Sequence, residues 1–156
     1  MKLTTEQISE LKKEIDKLIV VLYNYKLPYL DMIFRGGMEQ AISFHIGLYM
    51  YKYIKRRNWL KGYDIDMEYN KNGDMGKVIP SRPNGARPDI IIHQRGLNDW
   101  NVLMIEVKGW WNKTSRDNDR DKLRDFTDQQ GEYKYGLGVF LDLRNTGCTP
   151  EYFQDY

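Results

Sequence analysis

The stretch RPDIIIHQRGLNDWNVLMIEVKG, residues 87–109, decides how this chain is read. Two short apolar runs, 90–92 and 102–105, flank a turn-rich segment containing Gly96, Asn98 and Asn101. Runs of this length, rich in Ile and Val with Gly and Asn between them, predict a β-hairpin. Their near-continuous hydrophobicity predicts two central strands with both faces covered. Glu106 and Lys108 are two apart, so on a strand they point to one face. If His93 pairs with Val102, Asp89 falls opposite Glu106, with the carboxylates roughly 5 Å apart. Like charges facing each other across a sheet repel, and partial burial would force one acid to take up a proton. A divalent cation between them removes the conflict. Oxygen-only ligands suit Mg²⁺, with Mn²⁺ as its substitute, rather than zinc. Lys108 could then position a metal-bound water, ease its deprotonation, or stabilise charge building on a phosphate. A one-residue slip in the register would undo this pairing.

Working outward, Ile8, Leu11, Ile15, Leu18 and Leu22 recur at helical spacing and predict a helix over 4–25, with Thr4 and Gln7 forming a capping box. Pro28 breaks the pattern. After Gly36 and Gly37 a second helix is predicted over about 38–57. It ends in a basic cluster, Lys52, Lys55, Arg56, Arg57 and Lys61, which either complements the helix dipole or binds phosphate. Residues 64–69 alternate acidic and apolar, predicting a strand. Residues 70–87 read as loop. A helix is expected near Asp119, with Leu123 and Phe126 facing inward, and a final strand over 133–143. The predicted order is helix, helix, strand, strand, strand, helix, strand, within one domain spanning 1–156.

The 156 residues are 41% hydrophobic with 13 glycines, which is ordinary globular composition and excludes a disordered chain, a collagen or a coiled coil. Lys and Arg total 24 against 22 Asp and Glu, so a nucleic-acid partner would have to be met by a local patch. Cys148 is the single cysteine, so no intrachain disulfide forms. The apolar run Leu18 to Tyr23 is far too short for a bilayer span, and the N-terminus lacks a signal-peptide pattern. The expectation is a soluble, cytoplasmic protein with no membrane partner.

Glu39 on the second helix, RPD at 87–89 and EVK at 106–108, in this element order, resemble the PD-(D/E)XK nuclease superfamily. The segments EYN, RPDIIIH, IEVK, DKL and GLGVFLDL also look like small nuclease-like proteins of bacteria and phages. The resemblance spans roughly 37–143. It implies an α/β, restriction-endonuclease-like αβββαβ core, a mixed central sheet flanked by helices, with the first helix as an addition. It implies Asp89 and Glu106 as metal ligands, Lys108 as the catalytic lysine, and Glu39 as an acidic residue joining the metal set. Lys122 would match a basic or amide residue on the helix after the EVK strand. The implied activity is Mg²⁺-dependent hydrolysis of phosphodiester bonds, DNA ahead of RNA, as an endonuclease leaving a 5′-phosphate and a 3′-hydroxyl. A homodimer is compatible with it. The alternatives are a non-catalytic nucleic-acid-binding protein or a protein-interaction subunit on the same fold.

Arg82 and Arg87 precede the Asp89 strand and are candidates for phosphate contact. Trp110 and Trp111 follow the Glu106 strand in a loop with Lys113 and Arg116, the expected substrate-contacting loop, although such rings more often serve core or sheet-face packing. Glu68 would support the metal site if its strand lies beside that of Asp89. An acid in the first helical turn equally fits a role in complementing the helix dipole, which is the second reading of Glu39. His45 reads as a core histidine, and His93 either approaches the site or ends its strand.

Overall fold

A computed structural model describes residues 2–155. Helix α1 (Thr5–Leu22) starts at the expected capping box: the Gln7 amide donates to Thr4 Oγ1, and the Thr4 amide donates to the Gln7 side chain. Its apolar stripe, Leu11, Ile15, Leu18 and Leu22, is buried. A short helix α2 (Tyr29–Arg35) intervenes where the sequence suggested only a break, and Gly36 closes it at φ 73°. Helix α3 (Glu39–Ile54) buries Ile42, Ile46, Met50 and Tyr53. Glu10 and Glu14 of α1 accept hydrogen bonds from Tyr53 and Tyr49 of α3, which fixes the two helices against each other.

The sheet contains β1 (Asp64–Met67), β4 (Ile90–His93), β5 (Leu103–Gly109), β6 (Leu137–Leu143) and β7 (Glu151–Phe153), in the spatial order β1-β4-β5-β6-β7. Residues 70–87, expected as loop throughout, carry a minimal hairpin of β2 (Lys71–Asn72) and β3 (Met75–Gly76). Strand β5 runs antiparallel to β4 and parallel to β6. The parallel step needs a crossover, and helix α4 (Asp117–Thr127) supplies it, packing on β5 and β6. This is an α/β protein with N-terminal helices, a five-stranded mixed sheet and α4 against it.

The strands also differ from the sequence reading. Strand β1 stops at Met67, because Glu68 takes a left-handed conformation at φ 50°. Lys134 does the same at φ 51°, so the strand expected from 133 begins at Leu137. Strand β7 follows the one expected to be last.

The central strands β4 and β5 are buried along their whole length, as expected. Alternation divides them between two layers. Ile90, Ile92, Leu103, Ile105 and Val107 face the α1–α3 core, whereas Ile91 and Met104 join Leu123, Phe126, Tyr133, Tyr135 and Phe140 on the α4 side. No helix among the described residues is long and apolar enough to cross a membrane.

Candidate functional site

The hairpin register pairs Ile90 with Ile105 and Ile92 with Leu103. One step further along, Asp89 stands opposite Glu106, in the register the sequence argument requires. The two acids are cross-linked through the backbone. The Asp89 amide donates to Glu106 Oε1 at 3.2 Å, and the Val107 amide donates to Asp89 Oδ2 at 2.8 Å. Glu106 is 1% exposed. Burial, then the neighbouring Asp89, push its carboxyl well above the usual range, against the pull of Lys122. Burial also raises Asp89, opposed by the Val107 amide and Lys122 and assisted by Asp119 and Glu39.

Helix α4 supplies the counter-charges. Lys122 Nζ lies 2.5 Å from Glu106 Oε2 and also donates to the Arg87 carbonyl. Lys122 is therefore part of the cluster rather than a solvated surface lysine. Lys108 Nζ donates to Thr114 Oγ1 at 2.9 Å and pairs with Asp119 Oδ2 at 2.8 Å, both side chains being nearly buried. The sequence reading missed Asp119 and Thr114. A signal for Asp119 was present: it lies four residues before Leu123 and three before Lys122, on the inner face of α4.

Glu39 comes from the first turn of α3. Its Oε2 accepts from the Gly109 amide at 2.9 Å, and the Asn112 side-chain amide donates to both oxygens at 3.2 Å. Glu39 thus holds the end of β5. No group of three or more His, Cys, Asp or Glu side chains among the described residues is arranged to hold a metal ion. Glu39, expected as a third ligand beside Asp89 and Glu106, has both oxygens engaged by Gly109 and Asn112, as Glu106 has by the Asp89 amide and Lys122. The Asp89–Glu106 pair alone still fits Mg²⁺. It offers hard oxygen donors, Asp89 Oδ1 accepts no hydrogen bond from a described residue, and Mg²⁺ keeps most of its waters. Asp89 opens onto a cleft of about 390 Å³ shared with Glu39, Gln40, Ser43, Met67 and Glu68. Glu68 reaches it because β1 pairs with β4, and its amide donates to the Asp89 carbonyl.

The remaining candidates divide. Arg87 sits beside the cleft, exposed, 3.6 Å from Glu68. Arg82 is committed to the carbonyls of Ser81 and Asn118. Lys113 is exposed, with its ammonium 3.5 Å from the Trp110 carbonyl. Trp110 and Trp111 are not a free stacking surface. Both pack against the main core, Trp110 donates to the Ile33 carbonyl, and Trp111 lies over Gly36 and Gly109. His93 lies at the far end of β4, 2.8 Å from Asp66, which Arg95 also binds. His45 makes ring contacts with Tyr29 and Phe44. Arg116 ties the loop after β5 together, donating to the Gly109 and Asn112 carbonyls and to Asp142.

No protein-family model, curated protein or solved structure matches this chain.

Proposed function

We propose that this chain is a metal-dependent phosphodiesterase of the PD-(D/E)XK type, with a restriction-endonuclease-like core formed by α3, β1, β4, β5, α4 and β6, acting on DNA ahead of RNA. The observation that carries this reading is the meeting of Asp89 and Glu106 across the β4–β5 register, with Lys108 on the Glu106 face. Asp89 and Glu106 would hold Mg²⁺ or Mn²⁺. Such an ion, when bound, makes a coordinated water more acidic and offsets charge on the phosphate. Lys108 orients the attacking water or a phosphate oxygen by donating a hydrogen bond. Asp119 and Thr114 fix where that ammonium stands. Lys122 neutralises the second Glu106 oxygen, and Glu39 secures the strand end beyond Lys108. Arg87 and Lys113, both exposed near this end of the sheet, are offered to the phosphate backbone.

The test is cleavage of circular single-stranded and duplex DNA with Mg²⁺ or Mn²⁺. Wild type is expected to cut. Lys108→Ala and Asp89→Ala, folded by circular dichroism, are expected to lose at least about a thousandfold in rate, since each removes a group acting on the reacting phosphate. Activity surviving both changes would place the chemistry elsewhere.

One feature favours a second reading, a non-catalytic nucleic-acid-binding or protein-interaction protein: both site lysines are already ion-paired within the cluster. That reading predicts no cutting and no stabilisation by Mn²⁺ in a thermal melt, where ion binding to the folded state alone would raise the midpoint.

A further inference from the structure

Helix α3 has a second stripe that its packing does not use. Gln40, Phe44, Leu48, Tyr51, Lys52 and Lys55 fall at intervals of four, four, three, one and three residues. At about 100° per residue these positions share an arc of roughly 120°. The opposite face is the buried one, carrying Ile42, Ile46, Met50 and Tyr53. On the outward arc Phe44 is 55% exposed, Leu48 42% and Tyr51 46%. The stripe begins at the cleft, where Gln40 lines the wall beside Glu39, Ser43 and Asp89. It ends in the basic cluster. There Arg57 is paired with Glu10, while Lys52, Lys55, Arg56 and Lys61 make no ion pair with a described residue. Lys55 Nζ stands 5.1 Å from the centre of the Tyr51 ring, so cation and ring present one combined surface.

We propose that this face of α3 binds unpaired nucleic acid and leads the strand into the Asp89 cleft. Bases stack on Phe44 and Tyr51, and phosphates lie against Lys52 and Lys55. The choice of strand follows from the chemistry. Every base has a π-face, so exposed rings beside a line of cations hold single strands without reading sequence. In a duplex the base faces are already stacked, and a convex helix cannot reach them. A protein partner is disfavoured by the free lysines, a residue type depleted at protein interface cores. From Gln40 to Lys55 the helix runs about 22 Å, room for a few nucleotides. This assignment of unpaired strands as the substrate class rests on the phosphodiesterase reading of the cleft. The binding face itself can be measured without it.

The experiment is fluorescence anisotropy of a short labelled oligothymidylate, an oligouridylate and a duplex of equal length, with the full chain in EDTA at low salt. Wild type is expected to bind the single strands more tightly than the duplex, and the two oligomers separate DNA from RNA. The double variant Phe44→Ala/Tyr51→Ala should weaken single-strand binding by about tenfold or more and leave duplex binding unchanged. Lys52→Glu/Lys55→Glu should weaken binding and flatten its dependence on salt, because fewer counterions are released. These side chains are exposed, so all variants should melt with the wild type. The proposal is overturned if wild type binds no single strand, if the aromatic variant binds as wild type does, or if both strand types weaken equally. Sedimentation showing a wild-type dimer that the aromatic variant abolishes would give the face to a second copy and also overturn it. Strand binding through this face without cutting in Mg²⁺ or Mn²⁺ would remove the hydrolytic reading and leave the face. Equal cutting of circles by wild type and the aromatic variant would do the reverse.

Discussion

At the scale of single residues, Lys77 tests how burial governs charge here. It is 3% exposed, and its ammonium donates one hydrogen bond, to the Lys71 carbonyl, while facing the rings of Tyr69 and Tyr133. Burial pushes it down to about 8, and the more distant charges of Asp66 and Glu132 only partly oppose this. Between about pH 8 and the ordinary lysine range the unfolded chain keeps a proton that the folded chain has released. Stability therefore gains from this residue as pH rises through that window, by up to roughly 3 kcal/mol. In urea titrations the wild-type stability minus that of Lys77→Met should climb from pH 7.5 to 10.5; a flat difference would mean that the lysine is solvated. Asp119 is the residue-scale test of the site. Asp119→Asn keeps the shape but removes the charge facing Lys108, so on the proposed function cleavage should fall by about tenfold to a hundredfold, as for residues that support a metal site from behind. The loss should lie in kcat rather than KM, with partial recovery in Asp119→Glu. Full activity in the Asn variant would make the pair incidental. The Asp89–Glu106 pair was legible because strand parity and one register fixed it. For Asp119 the spacing to Lys122 and Leu123 marked an inner helix face, but its role depends on which face of the sheet α4 covers.

At the scale of elements, the end of β5 is where three segments are fastened together. Glu39 of α3 holds the Gly109 amide, Arg116 holds the Gly109 carbonyl, and the Trp111 ring covers the Gly109 Cα. A Cβ placed at Gly109 would run into that ring. Gly109→Ala should thus cost about 1–3 kcal/mol in a denaturant melt, as overpacking does, and turn Trp111 out of its seat. A red shift and loss of protection in tryptophan fluorescence would report that displacement; an unchanged spectrum and melt would show the ring yields freely. At this junction the tryptophans take the packing role. A WW pair beside Lys113 and Arg116 has the composition of a binding loop, but its rings fill the space that Gly36 and Gly109 leave open. Helix α2 and strand β7 escaped prediction for a different reason. Seven and three residues are too few to set a period, and both are stabilised by packing rather than local propensity.

At the scale of the whole molecule, the sheet separates two cores, and the site draws on both. Glu39 arrives from the layer of α1–α3, whereas Asp119 and Lys122 arrive on α4 from the other side. The first helix is no appendage to this arrangement. Leu11 and Ile15 are fully buried, and Glu10 and Glu14 anchor α3. The two cores should nevertheless fail differently. Ile15→Ala leaves a hole in the larger core, remote from α4, and should cost about 2–5 kcal/mol. Phe126 fills the smaller core, touching Tyr133 and Tyr135, and Phe126→Ala should cost about 3–5 kcal/mol. Only the second change removes the seat of the helix that positions Lys122 on Glu106 and Asp119 on Lys108. Amide hydrogen exchange under conditions where both variants remain folded should show faster exchange in α4 for Phe126→Ala, together with a lower cleavage rate. Ile15→Ala should exchange faster in α1 and cut at the wild-type rate. Equal loss of activity in both would mean that the two layers open as one unit, and that the site depends on global stability rather than on the α4 layer.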